Sequence, residues 1–512
     1  MTSCITYFRP FIRHGKFLIH QREVSTITYI TNFFSKINPF IPTQPPAIQP
    51  LKSQRRKRRS IDPTTSEGIL LFEIQELTKS LNIEKYRISH DLIKYYKNKE
   101  HFRRIENLEI IAVSSTGKGI GIIDSEIDLN AKTIVVIPFT LKGDIVDCKI
   151  GIHQESFAEG HLLRIVKPSS SRDDSLIKCK YFNSCAGCQL QMLPYSDQLE
   201  FKTKVISNAF KQFDFNTRDL PIRATVESPL QYQYRTKLTP HFNSNRKDIK
   251  IGFERDHEGR KGIFNLNSCE IATPILNHAL QENREELVKI VESYKKSGTI
   301  LLRDKSIENN IDYTTNHKEI ITQKINNFKF QFPAGEFFQN NNSILPSVIS
   351  TISSFIDKSI HKNIIDTYCG SGFLGISLSD KVDKIIGIEI SRRNLDYAAK
   401  NAQLNGLTNT EFKFGSSEEI FKDLIDLNPQ ESVVILDPSR KGSTEDYLNQ
   451  LSNFEPDLIV YLSCNVFSQA RDLKYFLKQT KNGDKYEIQL VQGFDFFPQT
   501  KHIESLVVLK HK

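Results

Sequence analysis

The chain has 512 residues, a length that predicts two to four domains rather than one core. Hydrophobic residues make up 38% and charged residues 25% of the chain, proportions typical of soluble globular proteins. No run of apolar residues approaches the roughly eighteen that cross a bilayer, which excludes a membrane-spanning helix. Eight scattered cysteines do not follow the pattern of a disulfide scaffold and indicate an intracellular compartment.

The net charge of +9 is concentrated at the N-terminus. Residues 1–61 carry eleven Lys or Arg and one acidic residue, whereas the rest of the chain has 58 basic and 59 acidic residues. We therefore predict that residues 1–66 are a disordered leader, whose first part has the composition of a mitochondrial presequence. The run Arg55–Arg59 fits a nuclear signal, a phosphate-binding patch or a solvated tail. The location stays open between the mitochondrion and the nucleus or cytosol.

Four patterns follow the leader. Residues 67–104 have helical periodicity. Residues 105–167 contain short β-rich runs with glycine turns, which predict a small barrel of the oligonucleotide-binding kind or an ordinary β-domain without RNA contacts. Residues 168–335 form a mixed central domain, and residues 336–512 alternate between strand and helix patterns. That alternation predicts an α/β, doubly wound, Rossmann-like domain with a parallel sheet.

A glycine-rich turn predicts a nucleoside-cofactor site in the last domain. Gly370, Gly372 and Gly375 follow a predicted strand and open a helix, where glycine lets the backbone approach a ligand closely. Glu389 ends the next strand, where its carboxylate can accept hydrogen bonds from both ribose hydroxyls. These residues by themselves suit a nicotinamide cofactor as well as S-adenosylmethionine.

Two further carboxylates favour S-adenosylmethionine. Asp366 ends the preceding strand and suits a cofactor with an amino group or hydroxyls. Asp437 ends the fourth strand, where methyltransferases that act on bases carry a carboxylate. Ligands of such sheets bind beyond the carboxyl ends of the strands.

Cys464 ends the fifth predicted strand and should face the same cleft. A cysteine in this position is often only a small apolar residue, but a thiolate beside a methyl donor has a chemical use. Carbon 5 of uracil becomes nucleophilic once a thiolate has added to carbon 6, and a base must then remove the carbon 5 proton so that the thiol can leave. Glu504 is the candidate base, and His502 is the alternative.

Three cysteines lie close together in the central domain, Cys179, Cys185 and Cys188, and Cys269 can supply a fourth thiolate. Four thiolates bind structural zinc or an iron–sulfur cluster. The spacing between Cys179 and Cys185 is wider than that of ordinary zinc sites, which favours the cluster over zinc or no metal.

Five segments in this order resemble the RNA uracil-5-methyltransferase family, and the resemblance covers residues 105–512. The segments are Phe337–Asn340, Asp366–Gly372, Asp437–Gly442, Ser463–Asn465 with Gln469–Asp472, and Phe497–Glu504. The resemblance implies that S-adenosylmethionine is contacted by Gln339, Tyr368, Glu389 and Asp437. It also implies that Cys464 is the nucleophile and Glu504 the proton acceptor. Ser439 and Val466 stand where the family more often has proline, and neither touches a reacting group.

The resemblance also implies a substrate and a metal. Members with a long leader act on uridine 54 of the tRNA T-loop, which implies tRNA as the partner and a TRAM-type RNA-binding barrel at residues 105–167. Bacterial rRNA-modifying relatives bind a [4Fe–4S] cluster with three close cysteines and one distant cysteine. The resemblance implies the same role for Cys179, Cys185, Cys188 and Cys269. The candidate phosphate contacts are Arg235, Lys237, Arg440 and Lys441.

Three other functions remain as alternatives. The first is methylation of carbon 5 of a uridine in rRNA. The second is a non-catalytic factor that binds or folds tRNA, which would not need Cys464 or Glu504. The third is an amino-group methyltransferase, whose chemistry requires no thiol. No obligate protein partner is evident from the sequence.

Overall fold

The structure is a computed structural model that describes residues 61–88, 93, 103–125, 130–243, 248–255, 262–415, 421, 424 and 426–512. The predicted presequence and the basic run Arg55–Arg59 lie outside the described residues. Of the residues predicted as the end of the leader, 62–65 form a hydrogen-bonded turn and Ser66 begins a helix. Within the described part of the chain, no helix combines the length and apolarity needed to cross a membrane.

The first described helix, α1, spans Ser66–Ser80. Thr65 caps its N-terminus, because Thr65 Oγ1 accepts a hydrogen bond from the Gly68 amide at 3.2 Å. The helix covers the first part of the predicted segment 67–104, whose residues 89–92 and 94–102 lie outside the described residues. Arg103, which that segment included, instead begins the first strand.

Five strands then form a closed barrel in the order β1-β2-β3-β5-β4. They are β1 Arg103–Val113, β2 Lys118–Asp124, β3 Lys132–Pro138, β4 Ile145–His153 and β5 Ala158–Lys167. The predicted small barrel is thus confirmed, although its second strand was not recognised in the sequence. Glycines interrupt the apolar pattern of β2: a Cβ at Gly119 would lie 2.0 Å from Thr140 Oγ1, so the close approach requires glycine.

The central region consists of short elements. They are α2 Tyr195–Gln212, β6 Ile222–Val226, β7 Lys237–Leu238, β8 His241–Phe242, β9 Ile251–Gly252, α3 Pro274–Gln281, α4 Arg284–Glu292, β10 Gly298–Thr299, β11 Leu302–Asp304, β12 Tyr313–Thr314, β13 Ile320–Ile325 and β14 Phe328–Pro333. Two three-stranded sheets, β10-β8-β9 and β12-β11-β7, share an apolar core with α3 and α4.

The C-terminal region forms a doubly wound sheet. Its elements are α5 Leu345–Ser353, β15 Asn363–Thr367, α6 Phe373–Ser377, β16 Lys384–Glu389, α7 Arg392–Leu404, β17 Thr410–Phe414, β18 Ser432–Leu436, α8 Glu445–Phe454, β19 Leu458–Ser463, α9 Val466–Gln479, β20 Tyr486–Phe494 and β21 Glu504–His511. The eight-stranded sheet has the order β17-β16-β15-β18-β19-β21-β20-β6. The Rossmann-like prediction is confirmed for β15–β19, which are parallel, whereas β21 is antiparallel to both of its neighbours.

The predicted border at residue 336 does not separate two cores. Strand β6 pairs with β20 at the edge of the C-terminal sheet. Phe330 and Phe332 of the β13–β14 hairpin pack in the same core as Ile364 of β15. Central-region elements therefore complete the C-terminal sheet, which a boundary drawn from local patterns could not show.

A buried ion pair connects α2 to the loop between β20 and β21. Lys202 Nζ lies 2.5 Å from Asp495 Oδ1, and both side chains are fully buried. Lys202 Nζ also donates to the Phe497 carbonyl oxygen at 3.0 Å. Removal of one member of such a pair leaves the other charge unpaired in the interior.

We expect Lys202→Met to lower the free energy of unfolding by about 3–5 kcal/mol, because Asp495 loses its counter-charge. Urea unfolding followed by circular dichroism measures the change. Lys204→Met, at an exposed position of the same helix, is the matched control and should change stability by less than about 0.5 kcal/mol. Equal stabilities of the two variants would contradict this account of the pair.

Candidate active site

The carboxyl ends of β16, β15, β18 and β19 meet at one edge of the sheet. Strand β21 is antiparallel to β19, with Ser463 paired to Ser505, so β21 begins where β19 ends. This pairing brings Cys464, directly after β19, close to Glu504, the first residue of β21.

The glycine-rich turn between β15 and α6 leaves room for a ligand. Tyr368, Gly370 and Gly372 have positive φ angles of 66°, 55° and 84°. A Cβ at Gly370 would have no atom within 4 Å, whereas a Cβ at Gly372 would lie 2.8 Å from Ile376 Cδ1. A left-handed tyrosine is uncommon, and local strain of this kind concentrates at binding sites.

Two carboxylates fix this turn. Glu389 Oε2 accepts a hydrogen bond from the Gly370 amide at 3.0 Å, and Glu389 Oε1 accepts one from the Ser391 amide at 2.8 Å. Asp366 Oδ2 accepts one from the Gly375 amide at 2.9 Å. The pKa of Asp366 is raised to about 7, chiefly by burial and also by the carboxylates of Asp437 and Glu389. Asp366 therefore holds the start of α6, while Glu389 is positioned beside the open face of Gly370.

Gln339 and Tyr368, the other two predicted cofactor contacts, lie in different loops. Gln339 is nearly buried and follows Phe338, whose ring stacks on Phe332 with centroids 4.4 Å apart. The Tyr368 ring centroid lies 5.6 Å from that of Tyr447. Aromatic packing therefore fixes the backbone before Gln339 and the ring of Tyr368.

Cys464, Glu504, Asp437 and Arg440 interact as one electrostatic group. The pKa of Cys464 is raised to about 12, chiefly by burial and also by Glu504 and Asp437, whereas the Arg440 guanidinium opposes the shift. Burial also raises the pKa of Glu504 well above its usual value, with Asp437 adding to the shift and Arg440 opposing it. The pKa of Asp437 is raised to about 7 by burial. The structure therefore unites the predicted nucleophile, the predicted base and one predicted cofactor carboxylate.

Side chains of α9 hold the loop that carries Arg440. The Arg440 carbonyl oxygen accepts bonds from Asn465 Nδ2 at 3.0 Å and Ser468 Oγ at 2.8 Å. Arg471 donates to the Lys441 carbonyl oxygen at 2.6 Å, and Asp472 accepts from the Ser443 amide at 2.7 Å. The sequence marked Gln469–Asp472 only as part of a family motif, without a role for each residue.

Gln469 joins the two strands that carry the reacting groups. Its Nε2 donates to the Tyr461 carbonyl oxygen at 2.8 Å and to the Ser505 carbonyl oxygen at 3.1 Å. Sequence reasoning did not assign this role to Gln469, because Tyr461 and Ser505 are distant along the chain.

The other sequence candidates have different environments. Burial lowers the pKa of His502 well below its usual value, and among the described residues its Nε2 has no hydrogen-bond partner. Lys237 Nζ donates to the carbonyl oxygens of Gly335 and Glu336, and Arg235 Nε donates to the Lys237 carbonyl oxygen. Of the predicted phosphate contacts, Arg440 and Lys441 are exposed near Cys464, whereas Arg235 and Lys237 are partly buried and bound within the protein.

The four central cysteines lie close enough to influence one another. Burial raises the pKa of Cys188 well above its usual value, and Cys269, Cys185 and Cys179 add to the shift. The Cys185 sulfur accepts a hydrogen bond from the Gly187 amide at 3.4 Å. Among the described residues, however, no three His, Cys, Asp or Glu side chains are arranged to hold a metal ion. The predicted metal site at these four cysteines is therefore not supported by the structure.

Comparison with known proteins decides the family. A profile described as tRNA (Uracil-5-)-methyltransferase matches residues 271–512. The tRNA (uracil(54)-C(5))-methyltransferase of Saccharomyces cerevisiae is 36% identical, over 90% of this chain and 83% of the relative. The chain belongs to the tRNA (uracil-5-)-methyltransferase family. The Schizosaccharomyces pombe family member with the same description is 39% identical, over 89% of this chain and 85% of its own.

A solved structure shares the fold of the family. It is the Pyrococcus abyssi tRNA (uracil-54, C5)-methyltransferase in complex with S-adenosyl-L-homocysteine, with a TM-score of 0.57 and 20% identity. The match covers 79% of this chain and 100% of the archaeal chain. At this identity the likeness concerns the fold alone.

We expect the alkylation rate of Cys464 to rise about tenfold per pH unit from pH 7 to 9, because the pKa of about 12 keeps the thiol mostly protonated throughout. Arg440→Met should slow alkylation about tenfold, because the thiolate loses a neighbouring positive charge. Mass spectrometry of the Cys464 peptide after iodoacetamide treatment measures the rate. Lys441→Met, the exposed neighbour, serves as control; a plateau below pH 8 would contradict the raised pKa.

Proposed function

We propose that this protein methylates carbon 5 of uridine 54 in the T-loop of tRNA with S-adenosylmethionine as the methyl donor. The observation that carries the proposal is the group formed by Cys464, Glu504, Asp437 and Arg440 at the carboxyl edge of the sheet. The fungal relatives, which match most of this chain, are described as acting on this position.

The residues around the glycine-rich turn fit the cofactor. Open space at Gly370 allows a ligand to approach the backbone, and Glu389 is held with its carboxylate beside that space. Each Glu389 oxygen already accepts one amide and retains capacity for a ribose hydroxyl. Gln339, Tyr368 and Asp437 complete the proposed contacts. When bound, S-adenosylmethionine supplies a methyl group activated by a sulfonium.

Cys464 begins the reaction on the base. The partly exposed thiol gives its proton to solvent water, and the sulfur forms a bond to carbon 6 of uracil. The electron pair of the carbon 5–carbon 6 double bond moves into an enolate, which makes carbon 5 electron-rich. The pKa of about 12 makes the free thiolate scarce, so the positive charge of Arg440 is needed to stabilise it. Asp437 and Glu504 oppose this ionisation. Protonation of either carboxyl therefore favours the first step.

Glu504 completes the reaction after carbon 5 has accepted the methyl group. Its carboxylate takes the carbon 5 proton, the carbon 5–carbon 6 double bond forms again, and the carbon 6–sulfur bond breaks to release Cys464. Burial raises the pKa of Glu504, which makes its ionised form a stronger base than an exposed glutamate. Glu504 is preferred to His502, because it belongs to the electrostatic group around Cys464.

The closed barrel is proposed as a TRAM-type, oligonucleotide-binding domain. Its five strands have the number and closure of an oligonucleotide-binding fold. Its β1–β2 turn approaches the active-site region: a Cβ at Gly117 would lie 3.1 Å from Lys501 Cβ. A uridine in a structured loop must be flipped out to reach Cys464, and binding of the flanking RNA by the barrel would help to offset that cost.

Substitution of Cys464 tests the mechanism. We expect Cys464→Ala to lose at least about a thousandfold in tRNA methylation. Glu504→Gln should accumulate a denaturation-resistant protein–tRNA adduct, because the carbon 5 proton is no longer removed. Gel mobility under denaturing conditions, with 5-fluorouridine tRNA as the positive control, detects the adduct. A Cys464→Ala protein with normal activity would refute covalent catalysis, and methylation of rRNA but not tRNA would favour the alternative substrate.

We also propose that Cys179, Cys185, Cys188 and Cys269 bind an iron–sulfur cluster. The proposal is supported by their spacing, with three close cysteines and one distant one. The described residues hold no preformed metal group, so the four thiols would have to draw together around the cluster. Ligation would also require loss of the thiol protons.

We expect protein purified without oxygen to be brown, with iron bound and absorbance near 400 nm, roughly where thiolate-bound clusters absorb. Cys188→Ala should lose this absorbance, and Cys148→Ala in the barrel is the matched control. Colourless protein with stoichiometric zinc, or with no metal, would reject the cluster.

A further inference from the structure

The N-terminal segment, residues 61–80, contacts both the nucleophile loop and the barrel. It lies outside the residues that carry the family motifs. We propose that this segment positions the barrel relative to Cys464, and so determines how bound tRNA presents its uridine. This proposal rests on the function proposed above.

The turn before α1 reaches the residue next to the nucleophile. The carbonyl oxygen of Thr64 accepts a hydrogen bond from Asn465 Nδ2 at 3.3 Å. The same Asn465 side chain donates to the Arg440 carbonyl oxygen and caps α9 by accepting from the Phe467 amide. Asn465, which directly follows Cys464, therefore links the N-terminal turn to the loop that carries Arg440.

The shape of this turn is fixed locally. Asp62 Oδ1 accepts bonds from the Thr64 amide and hydroxyl, each at 2.8 Å. Gln212 of α2 donates to the Pro63 carbonyl oxygen at 2.8 Å. A Cβ at Gly68 would lie 2.2 Å from the Asp62 carbonyl oxygen, so the turn can rest against α1 only because residue 68 is glycine.

Helix α1 packs between two cores. Ile69 belongs to the core that covers one face of the C-terminal sheet, together with Val466 and Phe467 of α9. Leu70 and Ile74 instead pack against barrel residues. Helix α1 therefore packs in the core that contains the start of α9 and also against the barrel. Because a helix is rigid, α1 fixes the distance between these two parts.

A polar junction fixes the contact with the barrel. The Glu73 carboxylate accepts hydrogen bonds from the amide and hydroxyl of Ser115, in the β1–β2 turn. Asn208 of α2 donates to Glu73 at 3.3 Å and to Ser115 Oγ at 3.0 Å. Ser115 lies two residues before Gly117, which approaches Lys501, so this junction holds the barrel turn that faces the active-site region.

Two substitutions break the two ends of this connection separately. Glu73→Ala releases the barrel turn but leaves the contact with Asn465. Gly68→Ala displaces the turn at Asp62 but keeps Glu73. Gln75→Ala, at an exposed position of α1, is the matched control. Single-turnover methylation is measured on whole tRNA and on a short T-loop hairpin too small to reach the barrel, with S-adenosylhomocysteine affinity as a check of folding.

We expect Glu73→Ala to slow methylation of whole tRNA about tenfold and to leave the hairpin rate unchanged, because only whole tRNA uses the barrel. Gly68→Ala should slow both substrates about tenfold, because it disturbs the loop beside Cys464. If Glu73→Ala loses affinity for S-adenosylhomocysteine, the variant has misfolded. In that case Ser115→Ala, which removes only the hydroxyl that donates to Glu73, tests the same junction.

The proposal is overturned if the Glu73 or Ser115 variant slows both RNAs equally or neither of them, or if Gly68→Ala matches the control. Wild-type protein that methylates neither RNA would instead refute the proposed function.

Discussion

The antiparallel pairing of β21 with β19 is the constraint on which the candidate site depends. If β21 ran parallel to β19, its first residue would lie at the amino ends of the strands, on the side of the sheet away from Cys464. Because β21 runs the other way, its first residue, Glu504, lies beside the last residues of β19 and close to Cys464. Gln469 secures this pairing by bonding carbonyl oxygens of both strands.

Burial determines the chemistry of the paired groups. Cys464, Glu504 and Asp437 all have raised pKa values, chiefly because surrounding protein atoms displace water from these side chains, although Cys464 and Asp437 remain partly exposed. Burial disfavours charge, and among the described residues it is the Arg440 guanidinium that opposes the raised pKa of the thiol. The loop that carries Arg440 is accordingly fixed by several hydrogen bonds from α9 rather than by its own sequence.

The connections between regions explain why local patterns misplaced the borders. Strand β6 and helix α2 belong to the central region in sequence but complete the C-terminal sheet and hold the β20–β21 loop. The N-terminal turn contacts Asn465, about four hundred residues away, as the hydrogen bond from Asn465 to Thr64 records. Apolar periodicity reports only on residues that are close in sequence. Contacts between residues this far apart therefore cannot be predicted from it.

The sequence by itself determined the barrel, the alternation of strands and helices and the glycine-rich turn, because these follow from local apolar periodicity and from the conformational freedom of glycine. It also marked Cys464, Glu389 and Asp437, because each ends a strand at the edge where such sheets bind ligands. Only the tertiary structure decided that Glu504 stands beside Cys464, that Asp366 holds a helix and that Arg440 faces the thiol. Those relations depend on strand direction and on long-range hydrogen bonds, which become fixed only when the whole chain packs.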